Sequence, residues 1–185
     1  KHRTYLGYGQ RNQYLSKADA DPAHRGNAIL LYTGESRNYY ASTVNTEHVF
    51  PQSKLSNAGQ QKGDLHHLRA CDKNVNNIRG NLPFTQGSGR ARKVGGGWYP
   101  SDEFKGDVAR MVMYMNLRYN LPWDMISTDK VKLMLQWNAE DPVSALEQQR
   151  NNVIEEAQGN RNPFIDNPYL ATKIWGGNPA ENTWK

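Results

Sequence analysis

The residues that can do chemistry fall in two short stretches of this sequence. Glu47 and His48 stand just before Pro51, and Asn76 and Arg79 lie on a predicted helix further along. A neutral imidazole can take a proton from water, and carboxylate and amide oxygens are hard ligands that suit Mg²⁺. A guanidinium three residues after Asn76 faces the same side of a helix and can pair with a phosphate. Hydrolysis of a phosphodiester needs these three kinds of group together.

Each of these assignments has a plainer alternative. A histidine beside a glutamate is often only a surface pair, and asparagines on a helix can simply form its polar face. Neighbouring residues on a strand point to opposite faces, so Glu47 and His48 can reach one ion only where the strand twists, bulges or ends. The sequence has one cysteine, Cys71, which we expect to be buried, and no cluster with zinc spacing. Mg²⁺ is therefore the expected cofactor, with Mn²⁺ or Ca²⁺ as alternatives.

The elements that must position these residues are predicted in the order strand, loop, strand, helix. Their composition and turn residues place them at Tyr39–Phe50, Gln52–Gly63, Asp64–Leu68 and Cys71–Asn81. Asp72 is well placed to cap the start of the helix, and Gly80 to end it. On the second strand, His66 and His67 would point to opposite sides, one packed beneath the site and one nearer solvent. Asp64 would orient a neighbouring group.

The remainder of the chain predicts a mostly helical α+β fold, with long loops, as a single domain over residues 1–185. Apolar spacing indicates helices at Phe104–Asn120 and Thr128–Trp137, and a third that starts at Asp141-Pro142 and ends at Gly159. The glycine-rich stretch Gln86–Gly97 reads as a mobile basic loop, and the tail from Asn160 as irregular chain.

Charge is distributed unevenly along the chain. Residues 1–110 hold 16 Lys and Arg against 9 Asp and Glu, whereas residues 111–185 hold 7 against 9, and the whole chain carries +5. A basic half suggests an anionic partner, although a solvated basic face without a partner accounts for the charge equally well. No apolar run of about 18 residues predicts a membrane span, and no signal peptide is visible at the start. The sequence thus fits a cytoplasmic protein or a mature form whose signal was removed.

Four segments in order resemble the bacterial endonuclease I family of secreted or periplasmic nucleases. They are NTEHVFPQSKL (Asn45–Leu55), GDLHHLRACDKNVNNIRGNLPF (Gly63–Phe84), GDVARMVMYMNLRY (Gly106–Tyr119) and DPVSALEQQRNNVIEEAQGNRNPFID (Asp141–Asp166). The resemblance implies a ββα-metal (His-Me finger) core at about residues 39–81. It also implies that His48 is the general base, and that Glu47 and Asn76 bind the metal. The expected activity is cleavage of DNA, and of RNA too, with little sequence preference and with 5′-phosphate ends.

The sequence departs from the family pattern in two places. Thr46 stands where relatives often carry arginine, so one phosphate contact is in doubt. The loop after Pro51 offers only Lys54 and Lys62 in place of an arginine that some relatives use to steady the leaving phosphate. Arg79 is the expected substitute. We expect the basic residues of the glycine-rich loop to grip the nucleic-acid backbone; these are Arg90, Arg92 and Lys93.

Two other functions remain compatible with a basic surface. One is a nucleic-acid-binding module that has lost its activity, which would not need the Glu, His and Asn set. The other is a nuclease with a narrow target, as in homing or toxin nucleases, which usually carry additional domains. The expectation is a secreted or periplasmic monomer that acts on DNA and RNA, without membrane contact.

Overall fold

Helices carry most of the regular structure, and the strands form three separate two-stranded antiparallel sheets. The computed structural model describes residues 4–56 and 58–185. In these residues the helices are α1 (Arg11–Ala18), α2 (Ala58–Gly63), α3 (Lys73–Arg79), α4 (Lys105–Tyr119), α5 (Lys130–Glu140), α6 (Ala145–Gln158), α7 (Pro163–Asp166) and α8 (Tyr169–Trp175). The strands are β1 (Asn27–Ile29), β2 (Ser36–Asn38), β3 (Val44–His48), β4 (Leu68–Asp72), β5 (Arg92–Val94) and β6 (Gly97–Tyr99). The predicted α+β class is confirmed.

A strand, strand, helix unit spans residues 44–79. Strand β3 pairs with β4 in antiparallel register, with Glu47 opposite Arg69, and α3 follows β4 directly. The Asp72 side chain accepts a hydrogen bond from the Val75 amide at 2.9 Å and so caps α3, as predicted. Gly80 ends the helix with φ +53°, a conformation that is unfavourable for residues with a Cβ. The order of elements and both helix ends therefore agree with the sequence analysis.

The second strand was predicted too early in the chain. Asp64 accepts a hydrogen bond from the His66 amide at 3.0 Å and starts a 3₁₀ helix over Leu65–His67, so the strand begins only at Leu68. His66 and His67 consequently do not alternate across a sheet. Both are buried, at 2% and 0% exposure, and the prediction that one lies near solvent was wrong.

Two apolar clusters form the core. The larger one is centred on α4 and α5, whose Met and aromatic side chains pack against β6 and the C-terminal helices. The smaller one joins α1 and α6 to β4. The Met and Tyr stripe of α4 is core, as predicted, and Cys71 is fully buried. The strand, strand, helix unit is thus held from both sides, by Cys71 in the larger cluster and Leu68 in the smaller.

Three predictions outside the strand, strand, helix unit need correction. Helix α6 starts after Ser144, which forms a capping box with Glu147, while the Asp141 carboxylate accepts from the Gly106 amide instead. The tail is not irregular, because Asn162 caps α7 and α8 follows. The glycine-rich stretch contains strand β5, which pairs with β6 across Gly95 and Gly96. In the part of the chain that the structure describes, no helix is both long and apolar enough to cross a membrane.

Candidate active site

Glu47, His48 and Asn76 all line one cleft of about 240 Å³. Strand β3 ends at His48, so the alternation that would separate neighbouring side chains stops there. Asn76 reaches the same cleft from α3, which follows the partner strand. The structure therefore brings together the three residues that the sequence singled out, and the strand end provides the condition that their adjacency required.

His48 is held in one orientation by main chain and by aromatic contacts. Its Nε2 lies 3.3 Å from the Lys62 carbonyl oxygen, and its ring stacks on Tyr8 at 5.0 Å between centroids. Because a carbonyl can only accept, Nε2 carries the ring proton and Nδ1 keeps its lone pair. Burial lowers the pKa of His48 to about 3, and the neighbouring His67 adds to that shift. The ring is therefore neutral at ordinary pH, which is the form that can accept a proton.

The Lys62 carbonyl owes its place to a close approach of two chain segments at Gly63. A Cβ at position 63 would lie 2.1 Å from the Leu6 carbonyl oxygen, so a larger residue would push the N-terminal segment away. That segment leads to Tyr8, the residue that stacks on His48. Gly63, at the end of α2, thus allows both the Lys62 carbonyl and the Tyr8 ring to contact His48.

Glu47 is buried beside the cleft, and its two side-chain hydrogen bonds are both made to one oxygen. The Tyr32 hydroxyl donates to Oε2 at 2.7 Å, and Arg79 Nη1 donates to the same oxygen at 3.2 Å. Burial raises the pKa of Glu47, whereas the charge of Arg79 and the Tyr32 hydroxyl act against that rise. Both of these side-chain hydrogen bonds are made to Oε2, and a backbone hydrogen bond from His48 to the carboxylate also acts against the rise in the pKa.

Asn76 is oriented by two hydrogen bonds from its amide nitrogen. Nδ2 donates to Asn45 Oδ1 at 2.8 Å and to the Thr46 carbonyl at 3.1 Å. The nitrogen is thereby identified, and Oδ1 is the polar atom left for a ligand. Oε1 of Glu47 and Oδ1 of Asn76 are two hard oxygen donors on one cleft, a set that fits Mg²⁺ with water as the other ligands. Among residues 4–56 and 58–185 no group of three or more His, Cys, Asp or Glu is placed to hold a metal ion.

Arg79 does not face the cleft, contrary to the expected contact with phosphate. Its side chain is fully buried and pairs with Glu47, and it also donates to the carbonyls of His48, Val49 and Leu82. The guanidinium therefore ties α3 to the end of β3, and its role is to position Glu47. The sequence could not reveal this, because the partners lie about thirty positions before Arg79 and the pairing depends on the fold.

The two loop lysines also differ in placement. Lys54 donates to the carbonyls of Asn81 and Met125, so it anchors the loop rather than a phosphate. Lys62 Nζ lies 4.9 Å from the Tyr8 ring centre. Arg11 lies over the same ring at 3.8 Å and donates to the Thr46 hydroxyl at 2.8 Å. Arg11 and Lys62 thus place two cations around the ring that stacks on His48.

Sequence reasoning missed Tyr8, Arg11 and Tyr32, which approach the cleft from the N-terminal part of the chain. No motif marks them, since each acts through a contact distant in sequence. Tyr32 adopts φ +74°, which is uncommon for a residue with a Cβ and is sustained only when its surroundings fix it. It packs against Trp98 and donates to Glu47.

The remaining predicted residues do not line the cleft. Asp64 is buried and accepts from Tyr114, Tyr119 and Gln158. His66 bonds the Asn160 carbonyl and His67 the Gln61 carbonyl, and the His67 ring lies 5.5 Å from the His48 ring between centroids. Three exposed cations line a second cavity on the other side of α3; they are Arg90, Arg92 and Lys93.

Comparison with known proteins identifies the family. A sequence profile described as Endonuclease I matches residues 8–169. The chain is 42% identical over 202 aligned positions to an extracellular ribonuclease of Bacillus amyloliquefaciens, with 93% of this chain and 69% of the relative covered. An extracellular ribonuclease of Bacillus subtilis (strain 168) is 41% identical over the same shares. An extracellular deoxyribonuclease of Aeromonas hydrophila is 26% identical, with 68% of this chain and 66% of that protein covered.

These matches include the whole strand, strand, helix unit and the helices that pack around it. The relatives named above are extracellular nucleases, and a further relative from Aeromonas hydrophila is a periplasmic deoxyribonuclease. The predicted resemblance is confirmed: the chain is an enzyme that belongs to the endonuclease I family.

Proposed function

We propose that the chain is a metal-dependent endonuclease of the ββα-metal (His-Me finger) type. It hydrolyses phosphodiester bonds in RNA and DNA without sequence preference and leaves 5′-phosphate ends. The observation that carries this proposal is the cleft shared by Glu47, His48 and Asn76, with His48 neutral and its proton held on Nε2.

His48 acts as the general base. Its Nδ1 takes a proton from a water molecule as the water oxygen bonds to phosphorus, and the bond from phosphorus to the 3′ oxygen breaks. The leaving 3′ oxygen takes a proton from a solvent water molecule and ends as a hydroxyl, and the 5′ side keeps the phosphate. The Lys62 carbonyl holds the Nε2 proton throughout, which keeps Nδ1 facing the reaction.

Glu47 and Asn76 are the residues that would hold the cation, through Oε1 and Oδ1. When bound, Mg²⁺, or Mn²⁺ or Ca²⁺ in its place, supplies positive charge to the phosphate and to the leaving oxygen. Arg79 and Tyr32 keep the Glu47 carboxylate fixed, and Asn45 keeps the Asn76 amide turned. Arg11 and Lys62 supply the phosphate-facing charge that Arg79 cannot.

The substrate range follows from the relatives. Ribonucleases share the higher identity with this chain and deoxyribonucleases the lower, so we propose that both nucleic acids are cut. The names of the same relatives support export of this protein to the periplasm or the medium. Contacts through phosphate charge give affinity without sequence reading and weaken as salt increases.

The test is cleavage of supercoiled plasmid and of RNA, each with Mg²⁺ and with EDTA. His48→Ala is expected to lower turnover by at least about a hundredfold. His24→Ala is the matched control, because His24 is an exposed histidine paired with Asp21. Wild-type rates from the His48 variant would refute the proposal. Failure of the wild type to cut with Mg²⁺, Mn²⁺ or Ca²⁺ would instead favour an inactive nucleic-acid-binding module.

A further inference from the structure

A second cavity lies beside the active-site cleft, on the opposite side of α3. Its volume is about 620 Å³, which is within the range of small-ligand pockets. On α3, Val75 and Ile78 line this cavity, whereas Asn76 lines the cleft. Tyr32 joins the two sites, because its ring lines the cavity and its hydroxyl donates to Glu47. Tyr32 thus connects the cavity to a residue that lines the cleft.

The cavity combines an apolar wall with a cationic edge. The wall is formed by Tyr32, Val75, Ile78, Ala91 and Trp98. Ile78 is 52% exposed, which is high for a large apolar side chain. The edge is formed by Arg90, Arg92 and Lys93, all exposed, and the carboxylate of Glu35 on the same cavity is paired with Arg37. An apolar surface rimmed by cations matches a nucleotide, which has a flat base and a phosphate.

The hairpin of β5 and β6 fixes this arrangement. Lys93 pairs across the hairpin with Trp98, so one short element carries both cationic and aromatic groups. Trp98 packs edge to face on Tyr32 with ring centres 5.4 Å apart. The wall is consequently built on regular structure and on the same tyrosine that orients Glu47.

We propose that this cavity is a base-binding subsite for single-stranded nucleic acid, next to the scissile phosphate. A base within a duplex is stacked and paired, so only an unpaired base can turn against Ile78 and Val75. The three cations bind the adjoining phosphates and do not distinguish one base from another. The inference rests on the proposed function and adds to it a preference for single strands.

Binding in EDTA tests the subsite without cleavage. The probes are a fluorescent thymidine oligonucleotide, its abasic counterpart of equal length, and the duplex form, measured by anisotropy. The wild type is expected to bind the intact strand at least about fivefold more tightly than the abasic strand, the scale of one base contact. Ile78→Ser is expected to remove that difference, while Ile78→Leu keeps it.

Ile174→Ser is the matched control, because Ile174 is 50% exposed on α8 and lies away from both sites. It should leave the ratio of intact to abasic binding unchanged. A variant with Arg90, Arg92 and Lys93 all replaced by Ala should weaken both single strands alike and reduce their salt dependence.

Two results would overturn the subsite. Equal binding of intact and abasic strands by the wild type would mean that only charge is recognised, as on a surface for an acidic protein. An unchanged ratio in Ile78→Ser would place the base contact elsewhere. The same preparations are then assayed with Mg²⁺: normal cleavage with no base discrimination refutes the subsite alone, and base discrimination without cleavage refutes the proposed nuclease alone.

Discussion

Two buried glutamate–arginine pairs in this protein have similar burial and different surroundings. Arg79 and Arg110 are both fully buried, and their partners Glu47 and Glu147 are exposed by only 3% and 1% in their side chains. Arg110 holds both oxygens of Glu147, through Nε at 2.6 Å and Nη2 at 2.9 Å. The Ser144 amide adds a third hydrogen bond to Glu147.

In the pair at the cleft, both side-chain hydrogen bonds of the glutamate are made to one oxygen. Both side-chain donors of Glu47 contact Oε2, and the residue lines the cleft. Burial and charge pairing therefore do not separate a structural carboxylate from a proposed metal ligand, because both pairs have them. The two pairs differ in the number of carboxylate oxygens that receive side-chain hydrogen bonds, which is one in Glu47 and two in Glu147.

The largest effect is expected to be shared by both pairs. Glu47→Gln and Glu147→Gln each leave a buried arginine without its carboxylate. We expect each to lower the free energy of unfolding by about 3 kcal/mol. Urea unfolding followed by circular dichroism measures this. A loss of unfolding free energy close to zero for Glu147→Gln would show that the pair of Arg110 and Glu147 does not stabilise the fold.

Activity per folded molecule should then separate the pairs. Glu47→Gln is expected to lose at least about a hundredfold in turnover and to need more Mg²⁺, since a metal-binding oxygen is lost. Glu147→Gln should stay near the wild-type rate once the folded fraction is taken into account. Initial rates on RNA over a Mg²⁺ titration test this. Equal losses in the two variants would remove the distinction.

Tyr32→Phe probes the hydroxyl that fixes Glu47. We expect the Mg²⁺ concentration for half-maximal rate to rise about tenfold, the scale for a residue that orients a metal ligand. Tyr99→Phe is the control, because its hydroxyl bonds Asp102 and not a cleft residue. If both variants keep the wild-type Mg²⁺ requirement, the Tyr32 hydroxyl does not act through the metal.

The smallest effect is expected at Ser144, which caps α6 next to the pair of Arg110 and Glu147. Ser144→Ala removes the side-chain acceptor for the Glu147 amide and should cost about 1 kcal/mol in unfolding free energy. Turnover should be unchanged. Thermal unfolding and rate measurements on one preparation test both statements, and a drop in turnover would connect this region to the cleft.

Local sequence signals predicted the elements around the site well. Asp72 and Gly80 delimit α3 because capping and left-handed turns depend on residue type at one position. The second strand was predicted too early because the effect of Asp64 was not recognised. Its side chain caps a short 3₁₀ helix over Leu65–His67, and the residue types of His66 and His67 do not indicate that turn. The capping box of Ser144 and Glu147 is also a local signal. The start of α6 was nevertheless predicted at Asp141-Pro142, because that pair of residues is also typical of a helix start.

Contacts between distant segments could not be predicted. Glu47, His48 and Asn76 were found by residue type and family resemblance, but the burial of Arg79 depends on the end of β3 meeting α3. Tyr8 contacts His48 and Arg11 contacts Thr46 because the N-terminal segment crosses α2 at Gly63, which no periodicity indicates. The sequence therefore indicated which residues are candidates for the site, but it did not indicate the hydrogen bonds that those residues make.

The partner of His48 is a main-chain oxygen, and this affects how the enzyme can change. A side-chain partner can be deleted by one codon change, but every residue type at position 62 would still present a carbonyl. A substitution at that position can therefore alter the local charge while the hydrogen bond that fixes the tautomer of His48 persists. Only changes that reroute the backbone, such as a bulkier residue at position 63, would reach it. Changes of the side chain at position 62 thus leave the main-chain partner of His48 in place.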